Sequence, residues 1–148
     1  MNKKQEIQQA LTAAMKAKDE DTKRTLRLVM TSIKLAEVES GSELDDSRVL
    51  SILQKEVKTR EDTIEESRKA GREDLVKAAK AEMAILNHFL PQQMDEAELI
   101  ALVKSVIAET GATSIRDMGN VMKELLPKVA GRASGQEASQ IVRRLLQP

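Results

Sequence analysis

The 148-residue sequence has no cysteine, no tryptophan and no tyrosine, and only one phenylalanine, Phe89, and one histidine, His88. Without cysteine there is no disulfide framework, no thiolate zinc site and no thiol nucleophile. A single histidine excludes a histidine-rich metal centre and leaves His88 as the one imidazole open to catalysis. Net charge is lacking as well, because 24 Lys and Arg balance 24 Asp and Glu. Such a chain is not a bulk polycation that coats nucleic acid or an acidic membrane. No apolar run approaches the ~20 residues that cross a bilayer, so no membrane partner is expected. The opening Met1-Asn2-Lys3-Lys4-Gln5-Glu6 carries an acid and no apolar stretch, unlike a secretory signal. On that basis a cytoplasmic protein is expected.

What remains is rich in Leu, Ala, Lys, Glu and Met, with 41% hydrophobic residues. That is the residue set of helices rather than sheets. A chain of this length buries roughly 68–70% of its unfolded surface, enough for a real core. The fold class read from composition is all-α.

Periodicity places the helices. Ile7, Leu11 and Met15 recur every four residues and predict an amphipathic helix of about four turns. Asp19-Glu20-Asp21 supplies caps for a second helix striped by Leu26, Val29, Met30, Ile33 and Ala36, which Ser40-Gly41-Ser42 ends. Asp45-Asp46 restarts a helix with Val49, Leu50, Leu53, Val57 and Ile64 on its apolar face, and Ala70-Gly71 reads as a C-cap or hinge. Leu75, Val76, Ala79, Met83, Leu86 and Leu90 stripe a fourth helix that Pro91 stops. Pro91-Gln92-Gln93-Met94 reads as a linker. Three shorter helices follow, each opened by a capping residue with an acid three positions on: Asp95 with Glu98, Ser114 with Asp117, and Ser134 with Glu137. Pro127 is expected to disturb the second of these, and Gly131 to end the turn after it. The expected organisation is an N-terminal region of helical hairpins at 1–91 and a small three-helix domain at 95–148. Sustained heptads are absent, which excludes a long coiled coil.

Candidate chemistry is sparse. His88 has no spaced partner and reads as a surface histidine near a helix C-terminus, where positive charge is favoured. The carboxylates sit on polar faces beside Lys and Arg, as expected of solvated, salt-bridged helices. Met118 and Met122, at i and i+4, read as core filling. No catalytic residue, metal site or cofactor site is identified. Positive charge, however, is unevenly placed. Residues 1–34 hold eight basic residues against four acids, and Lys23, Arg27 and Lys34 share one helix face. Residues 111–148 hold six (Arg116, Lys123, Lys128, Arg132, Arg143, Arg144) against three. Either cluster suits phosphate contact, or ordinary helix solvation. No aromatic is interleaved, so base stacking is not expected, and contact with the shape and backbone of a folded RNA is the mode that fits. Gly131-Arg132-Ala133-Ser134-Gly135 runs through a tight turn into a capped helix start. It is readable as a phosphate cradle or as a turn that needs glycine dihedrals. It lacks the Lys-Ser/Thr ending of a Walker loop, so nucleotide hydrolysis is not supported.

Asp117-Met118-Gly119-Asn120-Val121-Met122, Leu126-Pro127-Lys128, Gly131-Arg132-Ala133-Ser134-Gly135 and Val142-Arg143 resemble the C-terminal signature of the GatB/YqeY family. Upstream, Leu26-Arg27-Leu28, Ile33-Lys34, Lys58-Thr59-Arg60, Ala70-Gly71-Arg72-Glu73-Asp74-Leu75 and Phe89-Leu90-Pro91 look like its YqeY type. Members of that family usually carry Tyr in place of Phe89, often Asp in place of Ser134, and often Lys in place of Asn120 and Arg143. The resemblance implies an α-helical N-terminal region joined to a three-helix domain like the tail of the GatB subunit. That tail contacts tRNA in the amidotransferase that converts misacylated glutamyl-tRNA to glutaminyl-tRNA, and related modules are joined to glutaminyl-tRNA synthetase. The family is described with carbon–nitrogen ligase activity using glutamine as amido-N-donor, but this chain is too short to hold the GatB catalytic core. The resulting expectation is a tRNA-binding module of the aminoacylation or transamidation machinery. Lys123, Lys128, Arg132, Arg143 and Arg144 would touch backbone phosphate, Gly131 and Gly135 would allow close approach, and Ser134 would cap the last helix. Lys23, Arg27 and Lys34 form a second tier. The alternative is a protein-interaction subunit of a synthetase or amidotransferase that touches no RNA.

Overall fold

Most helix starts fall where the sequence offers the backbone a short polar side chain. A computed structural model describes residues 1–147 and contains seven α-helices and no strand among them. Asn2 opens α1 (Lys3–Ala17): its Oδ1 accepts from the Gln5 N–H at 2.8 Å, while the Gln5 side chain accepts from the Asn2 N–H at 3.0 Å. Asp19 caps α2 (Glu20–Ser40) and Asp45 caps α3 (Asp46–Lys69), each accepting from a backbone N–H three residues on. Gly71, at φ +70°, takes the left-handed conformation that turns the chain from α3 into α4 (Glu73–Asn87). Asp95 caps α5 (Glu96–Thr110), and Ser134 caps α7 (Gly135–Leu146). Between them lie a 3-10 turn at Ile115–Asp117 and α6 (Met118–Val129).

The chain divides into two compact units, Met1–Leu90 and a second that begins at Pro91. In the first, α1 pairs with α2 and α3 with α4, so two hairpins share one core. Ile7, Leu26, Val29, Ile33, Val49, Leu53, Leu86 and the lone Phe89 fill it. Full burial of such side chains contributes about 1.5–3 kcal/mol each. Met15 and Leu75, expected on apolar stripes, are instead exposed. The fourth helix stops at Asn87, short of Pro91, and residues 88–90 close in tighter turns. Pro91 disfavours the helical conformation of the residue before it, so the helix gives way early.

The second unit packs α5, α6 and α7 around Leu99, Val103, Val106, Val121, Leu125, Val129, Ile141 and Val142. Three expectations change here. Pro127 does not disturb α6, which continues to Val129. Proline removes only one backbone donor, and at this exposed site near the helix end the freed carbonyl stays solvated. Ser114 does not open α6 directly but leads into the 3-10 turn. There the Asp117 carboxylate folds back to accept from the N–H groups of Thr113 and Ser114 at 2.9 and 3.2 Å. Those two bonds, Thr113 first, hold its carboxyl below the usual range. Nor is Pro91–Met94 a free linker. The Met94 N–H donates to the Arg132 carbonyl at 2.7 Å, and Gln93 Nε2 donates to the Gly131 carbonyl at 3.1 Å.

Candidate nucleic-acid interface

The turn from α6 to α7 is built from two consecutive left-handed residues, Ala130 (φ +51°) and Gly131 (φ +77°). They reverse the chain in a few residues and deliver it to Ser134, whose hydroxyl accepts from the Glu137 N–H at 3.1 Å. Gly135, the first residue of α7, is exposed. The side chain at the centre of the turn is half-exposed but tied down within this unit. Arg132 Nε donates to the Gln92 carbonyl at 2.8 Å and its Nη2 pairs with Glu98 at 3.3 Å. Arg132 therefore clamps the incoming chain to the start of α5.

Five of the six basic side chains of the C-terminal cluster, the phosphate-contact candidates, fall into two groups, and α5 makes the division; the sixth, Arg116, is exposed in the 3-10 turn. Its acids Glu109, Glu98 and Glu96 pair with Lys128 at 2.6 Å, Arg132 at 3.3 Å and Arg144 at 3.7 Å. Lys123 and Arg143 are exposed and have no carboxylate partner among the described residues. Helical geometry explains the division. Residues five apart on α6 point about 140° away from each other, and neighbours on α7 about 100°. Lys128 and Arg144 reach α5, so Lys123 and Arg143 turn away from it. On the α5 side, a groove of about 420 Å³ runs over Met94, Leu99 and Ile141, rimmed by Asp95, Glu96, Glu137 and the single cation Arg144. Three carboxylates against one guanidinium disfavour an anion there, which leaves Lys123 and Arg143 as the exposed cations with no carboxylate partner among the five candidates.

The second-tier cations lie on α2 in the first unit. Lys23 is half-buried and pairs with Glu20 at 3.2 Å, whereas Arg27 and Lys34 are exposed and make no ion pair among the described residues. One charged site there is invisible to pattern reading. Arg60 of α3 is only 7% exposed. It pairs with Glu56 on its own helix and with Glu82 of α4 at 3.0 Å, and Arg24 of α2 reaches the same Glu82 at 3.6 Å. The one available signal is the Glu56–Arg60 spacing of four, common to many surface pairs. Arg72 and Asp74 form a two-point pair at 3.0 and 3.1 Å at the start of α4.

His88 ends α4, exposed, with its ring edge-on to Phe89 at 5.2 Å. Among the described residues no group of three or more Asp, Glu or His is placed to hold a metal ion. No described helix is long and apolar enough to cross a membrane.

Comparison with known proteins adds relatives. A family model described as Yqey-like protein matches residues 4–146. Altered inheritance of mitochondria protein 41, mitochondrial, from Pyrenophora tritici-repentis is 32% identical over 133 residues, covering 88% of this chain and 73% of that protein. Its namesake from Lachancea thermotolerans is 34% identical over 106 residues, 70% of this chain and 57% of that protein. An uncharacterized protein from Schizosaccharomyces pombe is 34% identical over 86 residues, covering 58% of this chain and 70% of its own length. These names correct the expected location: such relatives are mitochondrial, and the cytoplasmic reading does not stand. Mitochondrial addresses are amphipathic and Arg-rich rather than apolar, so an apolar-stretch criterion does not bear on that location.

Proposed function

The chain belongs to the YqeY-like protein family, and from that premise we propose that it is a tRNA-binding helical module serving tRNA aminoacylation or transamidation. The observation that carries the reading is the division of the C-terminal cations, which leaves Lys123 on α6 and Arg143 on α7 exposed and without carboxylate partners among the described residues. Exposed cations of this kind bind phosphate by releasing counterions, without reading sequence. With no Trp or Tyr and with Phe89 in the core, there is no platform for stacking bases. The ligand is therefore a folded RNA met through its backbone and shape.

Lys123 and Arg143 make the primary phosphate contacts. Lys128, Arg132 and Arg144 contribute by exchanging a carboxylate for a phosphate, and Gly131, Ser134 and Gly135 shape the approach. Lys23, Arg27 and Lys34 are the second tier. A synthetase or amidotransferase subunit is the protein partner in this reading. The carbon–nitrogen ligase activity with glutamine as amide donor resides in that larger assembly, and this chain supplies grip on the tRNA.

The test is a set of single charge reversals in the full chain, titrated with tRNA at fixed salt. Lys123→Glu and Arg143→Glu weaken binding by the loss of a phosphate contact each, uniformly across tRNA sequences. Glu98→Gln, which frees Arg132 from its carboxylate, strengthens binding. Equal affinity of wild type and both charge reversals overturns the assignment.

A further inference from the structure

The outward side of α2 carries large apolar side chains where a solvated helix would carry polar ones. Leu28, Leu35 and Val38 are 49%, 60% and 81% exposed. With Thr31 they recur at intervals of three, four and three and fall within an arc of about 80° around the helix. This strip lies opposite the side that buries Leu26, Val29, Met30 and Ile33. Thr31 joins it as an apolar surface, because its hydroxyl already donates to the Arg27 carbonyl at 2.9 Å and leaves the methyl for a neighbour. Scattered exposed apolar residues are normal, but a row in register is a binding surface.

Charge decides what fits it. The spacing is that of a and d positions in two heptads. Arg27 and Lys34 then occupy both flanking g positions, each exposed and without an ion pair among the described residues. Glu37, three residues on, feels the charge of Lys34 but is held by Lys4 at 3.0 Å and accepts from the Leu44 N–H at 3.1 Å. The opposite edge carries Ser32 and, at its far end, Glu39. The strip is thus apolar along its centre and positive along one edge, over a length of about 15 Å. We propose that this face of α2 docks an amphipathic helix of a partner protein, with apolar residues at its a and d positions and carboxylates on the edge that meets Arg27 and Lys34. The site lies in the first unit and uses none of the C-terminal cations.

The probe is a 21-residue helical peptide with Leu at a and d, Glu at e and g, and one Trp at its end. A matched peptide carries Lys in place of Glu. The protein has no Trp or Tyr, so the peptide's fluorescence reports alone. Wild-type full chain saturates with the Glu peptide and binds the Lys peptide at least tenfold more weakly. Arg27→Glu with Lys34→Glu reverses that preference, and Leu35→Asp with Val38→Asp abolishes binding of both. All four positions are exposed, so the variants keep the fold, which helical circular dichroism checks. Several results overturn the proposal: no saturation, equal binding of the two peptides, or a wild-type dimer that Leu35→Asp with Val38→Asp dissociates. Binding of the chain to phosphatidylserine vesicles through these residues in place of the peptide overturns it too. So does loss of tRNA affinity in Arg27→Glu with Lys34→Glu while the peptide fails to bind. Leu35→Asp with Val38→Asp alters no cation, and the primary contacts Lys123 and Arg143 are untouched in every variant. Loss of peptide binding in the Leu35, Val38 variant with tRNA affinity unchanged therefore separates this proposal from the tRNA reading, in which Arg27 and Lys34 are only second-tier contacts.

Discussion

Replacing Arg60 by alanine leaves two carboxylates facing each other inside the first unit. The Arg60 side chain is 9% exposed, and its partners Glu56 and Glu82 are 21% and 20% exposed. Removing one member of a fully buried ion pair costs about 3–5 kcal/mol, because the remaining charge keeps its desolvation penalty without its partner. Two features reduce that figure. Each glutamate keeps some water, and Arg24, 3.6 Å from Glu82, still offsets part of its charge. The expected loss is about 2–3 kcal/mol, a fall of roughly 10–20 °C in the melting temperature of a unit this size. Thermal unfolding of the full chain by circular dichroism measures it, with the second unit as internal reference. Arg60→Met combined with Glu56→Gln and Glu82→Gln recovers most of the loss, since swapping a whole buried ionic group for neutral side chains is often close to neutral. A loss below about 0.5 kcal/mol in Arg60→Ala, or a triple variant no better than the single one, refutes the reasoning.

Other expectations follow from single sites. The Thr25 hydroxyl is fully buried with no hydrogen-bond partner among the described residues, so Thr25→Val stabilises the first unit by about 1 kcal/mol in urea titration; destabilisation would show that the hydroxyl is satisfied. Ala130 holds φ +51°, a conformation costly for any residue with a Cβ, and Ala130→Gly raises the stability of the second unit by about 0.5–1 kcal/mol. Glu37 is held below its usual value of 4.5, first by the Lys4 ammonium and then by the Leu44 N–H. Its stabilisation is complete above that value and is lost as pH falls below it toward the lower folded value. Glu37→Gln therefore flattens the acid limb of a stability–pH profile below about pH 4.5 and leaves its shape at neutral pH unchanged.

Much of this architecture is readable from local signals. Asp19, Asp45, Asp95 and Ser134 open helices because a short side-chain oxygen has one favourable use before an apolar stripe. Of the α2 stripe, Leu26, Val29, Met30 and Ile33 are buried as read. Departures occur where the outcome depends on more than the local chain. Pro127 looks like a breaker, yet it costs little on an exposed last turn. The burial of Arg60 depends on Glu82, 22 residues away on another helix. The five phosphate-contact candidates of the C-terminal cluster read as equivalent cations, and only the packing of α5 separates the three neutralised ones from Lys123 and Arg143. Arg132, prominent in the turn motif, turns out to hold Gln92 and Glu98.

The central claim is that the chain grips tRNA through unpaired cations. The most direct measurement is titration of the purified full chain with tRNA at several salt concentrations, beside the Lys123→Glu, Arg143→Glu double variant. The account predicts saturable binding in wild type, with affinity falling steeply as salt rises, and a log–log slope shallower by about two units in the variant. Absence of binding at low salt, or an identical slope in the two proteins, would contradict it.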